Sequence, residues 1–221
     1  MPRPAGRRAE IHETFIRHVA DHGYEASNLG DIADELGLSK GTIVHHFGTK
    51  AQMLRELEEN YMQRQLDAVD ALWERLLKPQ ERIAAFLFMS ARLQVVARAA
   101  TVATQREVVQ LSEDPEMQRV RKFRQDLQQR AVDEVSRGIA EGIFRALDPH
   151  LVTLQLFGSV QWMWVWFDPN GRLAADEVAS SFTDVFLSGL LANRAGAKAL
   201  ADTQGKVATA VREVITESPT P

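Results

Sequence analysis

Cysteine is absent from this chain of 221 residues, which excludes disulfide bonds, thiolate metal ligands and a cysteine nucleophile. Long apolar runs are also missing, because the most apolar stretch, residues 154–167, is shorter than the roughly 20 residues that cross a bilayer. The N-terminus is basic and polar and has no apolar signal core. These absences predict a cytoplasmic protein that does not enter a membrane.

Common enzyme motifs are missing as well. The chain has no HExxH zinc motif, no G-x-S-x-G nucleophile elbow and no glycine-rich phosphate loop. His18 and His22 have the i, i+4 spacing of metal ligands, and His12 lies nearby, but no carboxylate or cysteine pattern accompanies them. We therefore predict no catalytic residue, no metal and no cofactor, and we interpret these histidines as solvated side chains on a helix face.

The formal net charge of −4 does not by itself favour a nucleic-acid partner, because phosphate binding needs local cations. The distribution of charge is more informative than the sum. Residues 1–55 contain seven basic and seven acidic side chains, so the acidic excess lies in the rest of the chain. Arg3, Arg7 and Arg8 form an N-terminal basic arm that can reach a DNA groove, with a merely solvated terminus as the alternative.

Apolar residues recur at helical intervals along the whole chain, and strand-like alternation is not found. Ile11, Phe15 and Val19, for example, predict the buried stripe of a first helix. Later helices are predicted at about 49–77, 79–99, 101–111, 115–141, 148–167 and 174–192. The predicted fold class is therefore all-α.

Residues 29–50 carry the most informative pattern. Their first part has apolar residues at i, i+3, i+4 and i+7 from Leu29, which predicts a short helix with one buried face. Gly37 follows and suits the positive φ of a tight turn, and Ser39 is placed to cap a second short helix. Ile43 and Phe47 give that second helix its own buried face. Two short helices joined in this way are typical of a DNA-reading unit, although an αα-hairpin that only packs is the alternative.

The side of the second helix that faces away from Ile43 and Phe47 is available for base edges in the major groove. Lys50 opens the next helix and Ser27 precedes the first short one, where helix N-termini favour phosphate. The predicted DNA contacts are Ser27, Ser39, Lys40, Thr42, Val44, His45 and Lys50.

Residues 7–54 resemble the DNA-binding domain of the TetR family of bacterial repressors. The resemblance rests on Ile32-Ala33, Gly37, Ser39-Lys40-Gly41-Thr42, His46-Phe47 and Lys50. Val44 stands where the family usually has a phosphate-contacting tyrosine. The resemblance implies a helix-turn-helix DNA-binding domain at 1–54, a helical ligand-binding and dimerisation domain at 55–194, and a transcriptional repressor that binds palindromic operator DNA. Residues 195–221 are expected to form a polar tail with at most one amphipathic helix.

The run at 154–167 is apolar nearly all round, so a helix there must be covered on more than one side. Pairing of this helix with the last core helix across a two-fold axis would make a four-helix dimer interface. The resemblance agrees, because family members dimerise through their last two helices. The predicted interface residues are Trp164, Phe182, Val185, Phe186 and Leu190.

Residues 106–107, 138–145 and 166–171 resemble the branch of the family that senses acyl-coenzyme A thioesters in fatty-acid or steroid breakdown. Such an effector requires an apolar tunnel, for which we predict Phe86, Met89, Leu93, Phe123, Leu127, Trp162 and Trp166. Arginines near its mouth would meet the phosphates, and the candidates are Arg92, Arg106, Arg119 and Arg121. A hydrophobic ligand without coenzyme A and a helical protein-interaction module are the alternatives.

Overall fold

The computed structural model describes residues 6–107 and 115–217. Every regular element in these ranges is helical, which confirms the all-α prediction, and β structure there is limited to one isolated bridge between Phe144 and Leu191. The α-helices are α1 (Arg7–His22), α2 (Leu29–Glu35), α3 (Lys40–Phe47), α4 (Lys50–Arg75), α5 (Pro79–Val96), α6 (Arg98–Glu107), α7 (Gln118–Ala140), α8 (Pro149–Gln161), α9 (Met163–Trp166), α10 (Ala175–Leu190), α11 (Ala197–Ala201) and α12 (Lys206–Glu217). Arg3 of the basic arm and the end predicted for the helix at 101–111 lie outside the described residues.

The chain forms two compact units, which we describe separately. The head unit comprises the described residues up to Gln63 together with those of Ala99–Phe123. The body unit comprises Arg64–Arg98 and the described residues from Arg124 onwards. The head unit therefore contains most of α6 and the start of α7 in addition to the segment at 1–54 that we predicted as the DNA-binding domain.

The head unit is built on the buried stripe of α1. Ile11, Phe15 and Val19 are each 0% exposed, as their spacing predicted, and Gly23 ends the helix. α1 packs against α2, and α2 packs against α3. Ile43 contributes the buried side of α3 to the same core.

Helix α5 is the centre of the body unit. Pro79 occupies the first turn of α5, where its missing N–H is not needed. The helix packs against α8, α10, α11 and α12, which explains why its side chains are buried on nearly every side. An apolar helix enclosed in this way is a core element, because no face of it is left for solvent.

Two glycines shape the turn after α7. A Cβ at Gly138 would lie 2.1 Å from the ring of Phe144, so only glycine allows that ring to pack against the helix. Gly142 has a φ of 71°, which side chains disfavour. Phe144 is buried as a result, and the motif at 138–145 therefore has a direct packing role.

The single helix predicted at 148–167 is interrupted. α8 ends at Gln161, Trp162 links the two segments, and α9 is only one turn long. Pro169 keeps the preceding residue out of helical geometry, so the helix ends before it. The guanidinium of Arg98 donates a hydrogen bond to the carbonyl oxygen of Trp164, 3.1 Å away, and satisfies an acceptor near that end.

The expectation of a polar C-terminal tail was wrong for most of this segment. α12 is strongly amphipathic, and Val207, Val211 and Ile215 are buried where their spacing predicted one apolar face. The helix packs on α5, and α11 packs on α10. Ion pairs join α12 to three other helices of the body unit: Arg75–Glu213, Lys206–Glu81 and Arg212–Asp176. The segment is thus an integral part of the body unit.

Among the residues that the structure describes, no single helix is both long and apolar enough to cross a bilayer, and only the bent pair α5 and α6 meets the length and composition required when the two are taken together.

Candidate functional sites

Helix α3 presents one buried and one exposed face. Phe47 and Ile43 point into the head unit, whereas Lys40 and His45 are exposed. Val44 exposes 44% of its surface although it is apolar, so it is available to a partner such as a thymine methyl group. The exposed face of α3 therefore combines a cation, an imidazole and an aliphatic side chain.

The start of α3 is fixed by its cap. Gly37 has a φ of 63°, as the predicted turn requires. The side-chain oxygen of Ser39 accepts a hydrogen bond from the backbone N–H of Thr42 at 3.1 Å and lies 3.0 Å from the Thr42 hydroxyl. The predicted cap is confirmed, and Thr42, which is half-buried, is held by Ser39 rather than left to rotate freely.

Ser27 does not occupy the position that we predicted for it. Its side chain is 2% exposed, and its hydroxyl donates to the carbonyl oxygen of Gly23 at 2.8 Å. Asn28 caps α2 instead, because its side-chain oxygen accepts from the N–H of Gly30. The sequence contains the signal for this, since asparagine directly before Leu29 is a favoured cap.

Lys50 also has a role that the sequence did not reveal. Its Nζ donates to the carbonyl oxygens of Tyr24 at 2.8 Å and Ser27 at 3.2 Å, with Glu25 at 3.4 Å, and it lies 4.2 Å from the centre of the Tyr24 ring. The side chain thus holds the loop between α1 and α2. Its charge remains near the N-terminus of α4, but the ammonium is directed at carbonyl oxygens.

Two carboxylates fasten α1 to the rest of the head unit. Glu56 accepts two hydrogen bonds from Arg8, at 2.7 and 2.6 Å, and these hold the pKa of Glu56 below its usual value. The Arg8 guanidinium also lies 4.3 Å from the centre of the Phe47 ring. Glu35 pairs with His18 at 2.8 Å and with Arg17, and the hydrogen bond from His18 is the largest cause that lowers the pKa of Glu35.

The histidines of α1 have separate surroundings. His12 is buried, against our expectation of a solvated side chain, and its Nε2 lies 3.3 Å from the carbonyl oxygen of Met53. His18 bonds to Glu35, and its ring stacks with that of His22. No group of three potential metal-ligating side chains occurs in the described ranges 6–107 and 115–217.

The end of α6 holds the end of α1 within the head unit. Arg106, which we predicted as a phosphate contact at the ligand mouth, donates to the carbonyl oxygens of Ala20 at 3.0 Å and Asp21 at 3.3 Å. Glu107 is 3% exposed and accepts from the backbone N–H of Tyr24 at 2.9 Å. We call this pair of contacts the α6 clasp. Neighbouring residues of opposite charge therefore bind the carbonyls and the amide at one helix terminus.

Three side chains that we predicted for the tunnel lie in the interior of the body unit. Phe86, Met89 and Leu127 are all buried. The ring of Phe86 meets those of Trp73 and Phe157 edge-on, with centroids 5.4 and 5.7 Å apart. The body unit thus has an aromatic interior between α4, α5 and α8.

The remaining tunnel candidates are distributed differently. Trp162 and Trp166 expose 62% and 43% of their surfaces, so in the single chain they do not line an interior. Leu93 and Arg92 are half-buried. Phe123 belongs to the head unit, where Arg119 lies over its ring and also pairs with Glu59 at 3.4 Å, and Arg121 is half-buried in the same unit.

An apolar surface covers α8 to α10 of the body unit. Val185 is 72% exposed, and Phe182, Phe186 and Trp164 are half-buried. The exposed apolar residues on these helices are Leu151, Leu154, Trp162, Val165, Trp166 and Val185, and we call them the α8–α10 face. Leu190 is 2% exposed and adds no surface to this face, because it is already buried in its own chain.

Two family models match the chain. Residues 16–57 match the model described as bacterial regulatory proteins, tetR family, and residues 76–190 match the model described as tetracyclin repressor-like, C-terminal domain. The sequence is 30% identical over 200 residues to the HTH-type transcriptional repressor KstR2 of Mycobacterium tuberculosis, and the match covers 86% of this chain and 98% of the relative.

Solved structures agree with these sequence matches. The structure of the ketosteroid transcriptional regulator KstR2 of M. tuberculosis superposes with a TM-score of 0.81 and 26% identity, over 86% of this chain and 98% of that one. AibR in complex with isovaleryl coenzyme A and operator DNA gives a TM-score of 0.68 at 24% identity, over 84% of this chain and 98% of that one. At that identity the likeness to AibR concerns the fold.

Proposed function

Because the chain belongs to the TetR family of bacterial regulatory proteins and is a transcriptional repressor of that family, we propose that it binds a palindromic operator as a homodimer and leaves it when an acyl-CoA thioester binds. The single observation that carries the operator contact is the capped α3 with its exposed Lys40, Val44 and His45. Acting on chromosomal DNA, such a repressor works in the cytoplasm.

The groove contact follows from the shape of α3. A helix fits the major groove of B-DNA, and the exposed face of α3 offers side chains that suit base edges and phosphates. The acidic net charge of the whole chain does not oppose this, because counterion release depends on the cations that meet phosphate. Thr42 contributes its hydroxyl from the first turn of the same helix.

The α8–α10 face supports the homodimer. Large apolar patches on a monomer mark interaction sites, and pairing two copies of this face across a two-fold axis would bury six exposed apolar side chains from each. A symmetric protein then requires a symmetric DNA site. The centres of the two half-sites are expected one helical turn apart, or a multiple of it, at about 34–36 Å per turn.

The effector class is supported by the sequence motifs and by the names of the similar proteins. KstR2 is a ketosteroid regulator, and AibR binds isovaleryl coenzyme A with operator DNA in the same fold. The aromatic interior formed by Trp73, Phe86 and Phe157 suits an acyl or steroid group. A large apolar ligand without coenzyme A is the second candidate, since this interior alone favours it equally.

Release of DNA requires that the effector bind the DNA-incompetent arrangement more tightly than the competent one. Two elements of the head unit can report such a change to α3. α4 begins at Lys50, which holds the loop between α1 and α2, and the α6 clasp holds the end of α1. A shift of either element would move the helices that position the reading face.

The test of the proposal is operator release. A labelled duplex that contains the operator is titrated with the protein, and the complex is challenged with fatty-acyl and steroid-derived CoA thioesters, free coenzyme A and the corresponding free acids. We expect thioesters to release the duplex and free coenzyme A to act weakly. Release by the free acids alone would favour the second candidate, and salt-insensitive or absent binding to any duplex would contradict the repressor mechanism.

A further inference from the structure

Arg64 is an arginine in the middle of α4 that the structure leaves without a counterion. Its side chain is half-buried, and one turn further along the helix Ala68 is buried and contributes only a methyl group. Across residues 6–107 and 115–217 no hydrogen bond or ion pair to Arg64 is found, and burial alone acts on its guanidinium, lowering its pKa.

Other arginines of the body unit differ in this respect. Arg82 is more buried than most and pairs with Glu134 at 2.6 Å, while Arg75, on the same helix as Arg64, pairs with Glu213 at 2.8 Å. Arg130 pairs with Asp70. The chain therefore supplies carboxylates to arginines of similar or greater exposure, and Arg64 stands apart from that pattern.

A guanidinium stays protonated in proteins, so partial burial leaves a charge that water no longer fully solvates. Such an arrangement is unfavourable unless an anion completes it. The planar fork of N–H groups on arginine matches two oxygens of a carboxylate or phosphate and binds them more strongly than neutral donors do. An anion from outside the chain would supply what the described residues do not.

We propose that Arg64 binds the anionic group of the effector and so selects an anionic ligand over a neutral apolar one. The group is a phosphate if the ligand is a CoA thioester, and a carboxylate if it is a free acid. This assignment rests on the proposed function, because it presumes that a small molecule binds the protein. It adds Arg64 to the arginines that the sequence had suggested.

The first experiment uses the full-length protein without ligand. Arg64→Met keeps the apolar stem and removes the charge, and Arg75→Met is the matched control on the same helix. We expect the thermal midpoint of Arg64→Met to equal that of the wild type or to rise by about 2–4 °C, whereas Arg75→Met does not rise. A clear fall for Arg64→Met would show that the charge serves the fold, and would overturn the proposal.

The second experiment measures ligand affinity by calorimetry, with decanoyl-CoA, choloyl-CoA, coenzyme A, decanoate and cholate as probes. We expect Arg64→Gln to weaken the best probe by at least about tenfold while operator affinity without ligand is unchanged. Loss confined to the thioesters assigns the contact to phosphate, and an equal loss for the free acids assigns it to carboxylate.

Two outcomes separate this proposal from the function on which it rests. Equal affinity of wild type and Arg64→Gln for decanoyl-CoA or choloyl-CoA would overturn the role of Arg64 and leave the thioester effector standing. Silence of the wild type toward every probe, with operator binding intact, would overturn both the role of Arg64 and the effector class, and would leave the repressor.

Discussion

Lys50 connects stability and DNA affinity in one side chain. Lys50→Met removes the donor that the carbonyl oxygens of Tyr24 and Ser27 share, so we expect a loss of about 1–2 kcal/mol in the free energy of unfolding. Operator affinity should fall for all sequences alike, because the loop before α2 loosens.

The matched control for Lys50 is Lys40→Met on the exposed start of α3. It should leave the unfolding curve unchanged and lower the slope of log affinity against log salt by about one. Denaturant unfolding and salt-dependent duplex titrations measure the two effects. Unfolding of Lys50→Met at the wild-type denaturant concentration would refute the structural role of this lysine.

Single residues also show which local features a sequence predicts. Gly37 and Ser39 were predictable, since positive φ and helix capping depend on neighbours a few residues away. The contacts of Lys50 with a loop more than twenty residues earlier depend on how α1, α2 and α4 pack. The burial of Ser27 has the same cause, so the sequence suggested a phosphate contact where the fold uses the hydroxyl internally.

At the scale of the helix, α12 is expected to be necessary for the body unit. Val211→Asp places a carboxylate at a position that is 1% exposed against α5, which should cost several kcal/mol. Glu213→Gln on the exposed side of α12 is the control and should stay within about 0.5 kcal/mol. Equal unfolding midpoints for Val211→Asp and Glu213→Gln would show that α12 is a dispensable appendage.

The intervals of Val207, Val211 and Ile215 announced an amphipathic helix, but spacing identifies an apolar face and not its partner. That partner is α5, more than one hundred residues earlier in the chain. The break at Trp162 was hidden for a related reason. An apolar run has no internal mark where a distant guanidinium, here that of Arg98, takes over one of its carbonyl oxygens.

At the scale of the whole molecule, the α8–α10 face decides the oligomeric state. Val185→Glu changes a side chain that is 72% exposed in the single chain, so the fold should tolerate it, whereas a dimer would bury the new carboxylate. We expect this variant to sediment as a monomer. Leu77→Glu, 68% exposed and outside the face, is the control and should remain dimeric. A dimeric Val185→Glu protein would move the interface elsewhere.

The division into units was the least predictable feature of the whole chain. A boundary after residue 54 follows from the local helix-turn-helix pattern, which ends there. Residues 99–123 join the head unit through contacts such as the hydrogen bond from Tyr24 to Glu107 and the ion pair between Arg55 and Glu116. Sequence patterns describe neighbours along the chain, and these partners are distant in it.

The placement of the tryptophans gives the protein an optical label of its own. All four indoles, Trp73, Trp162, Trp164 and Trp166, belong to the body unit, and the described part of the head unit has none. Ultraviolet emission therefore reports on the body unit alone, even in a complex with DNA. Because Trp162 and Trp166 are the most exposed of the four, self-association through their face would shift the emission to shorter wavelength and shield it from dissolved quenchers.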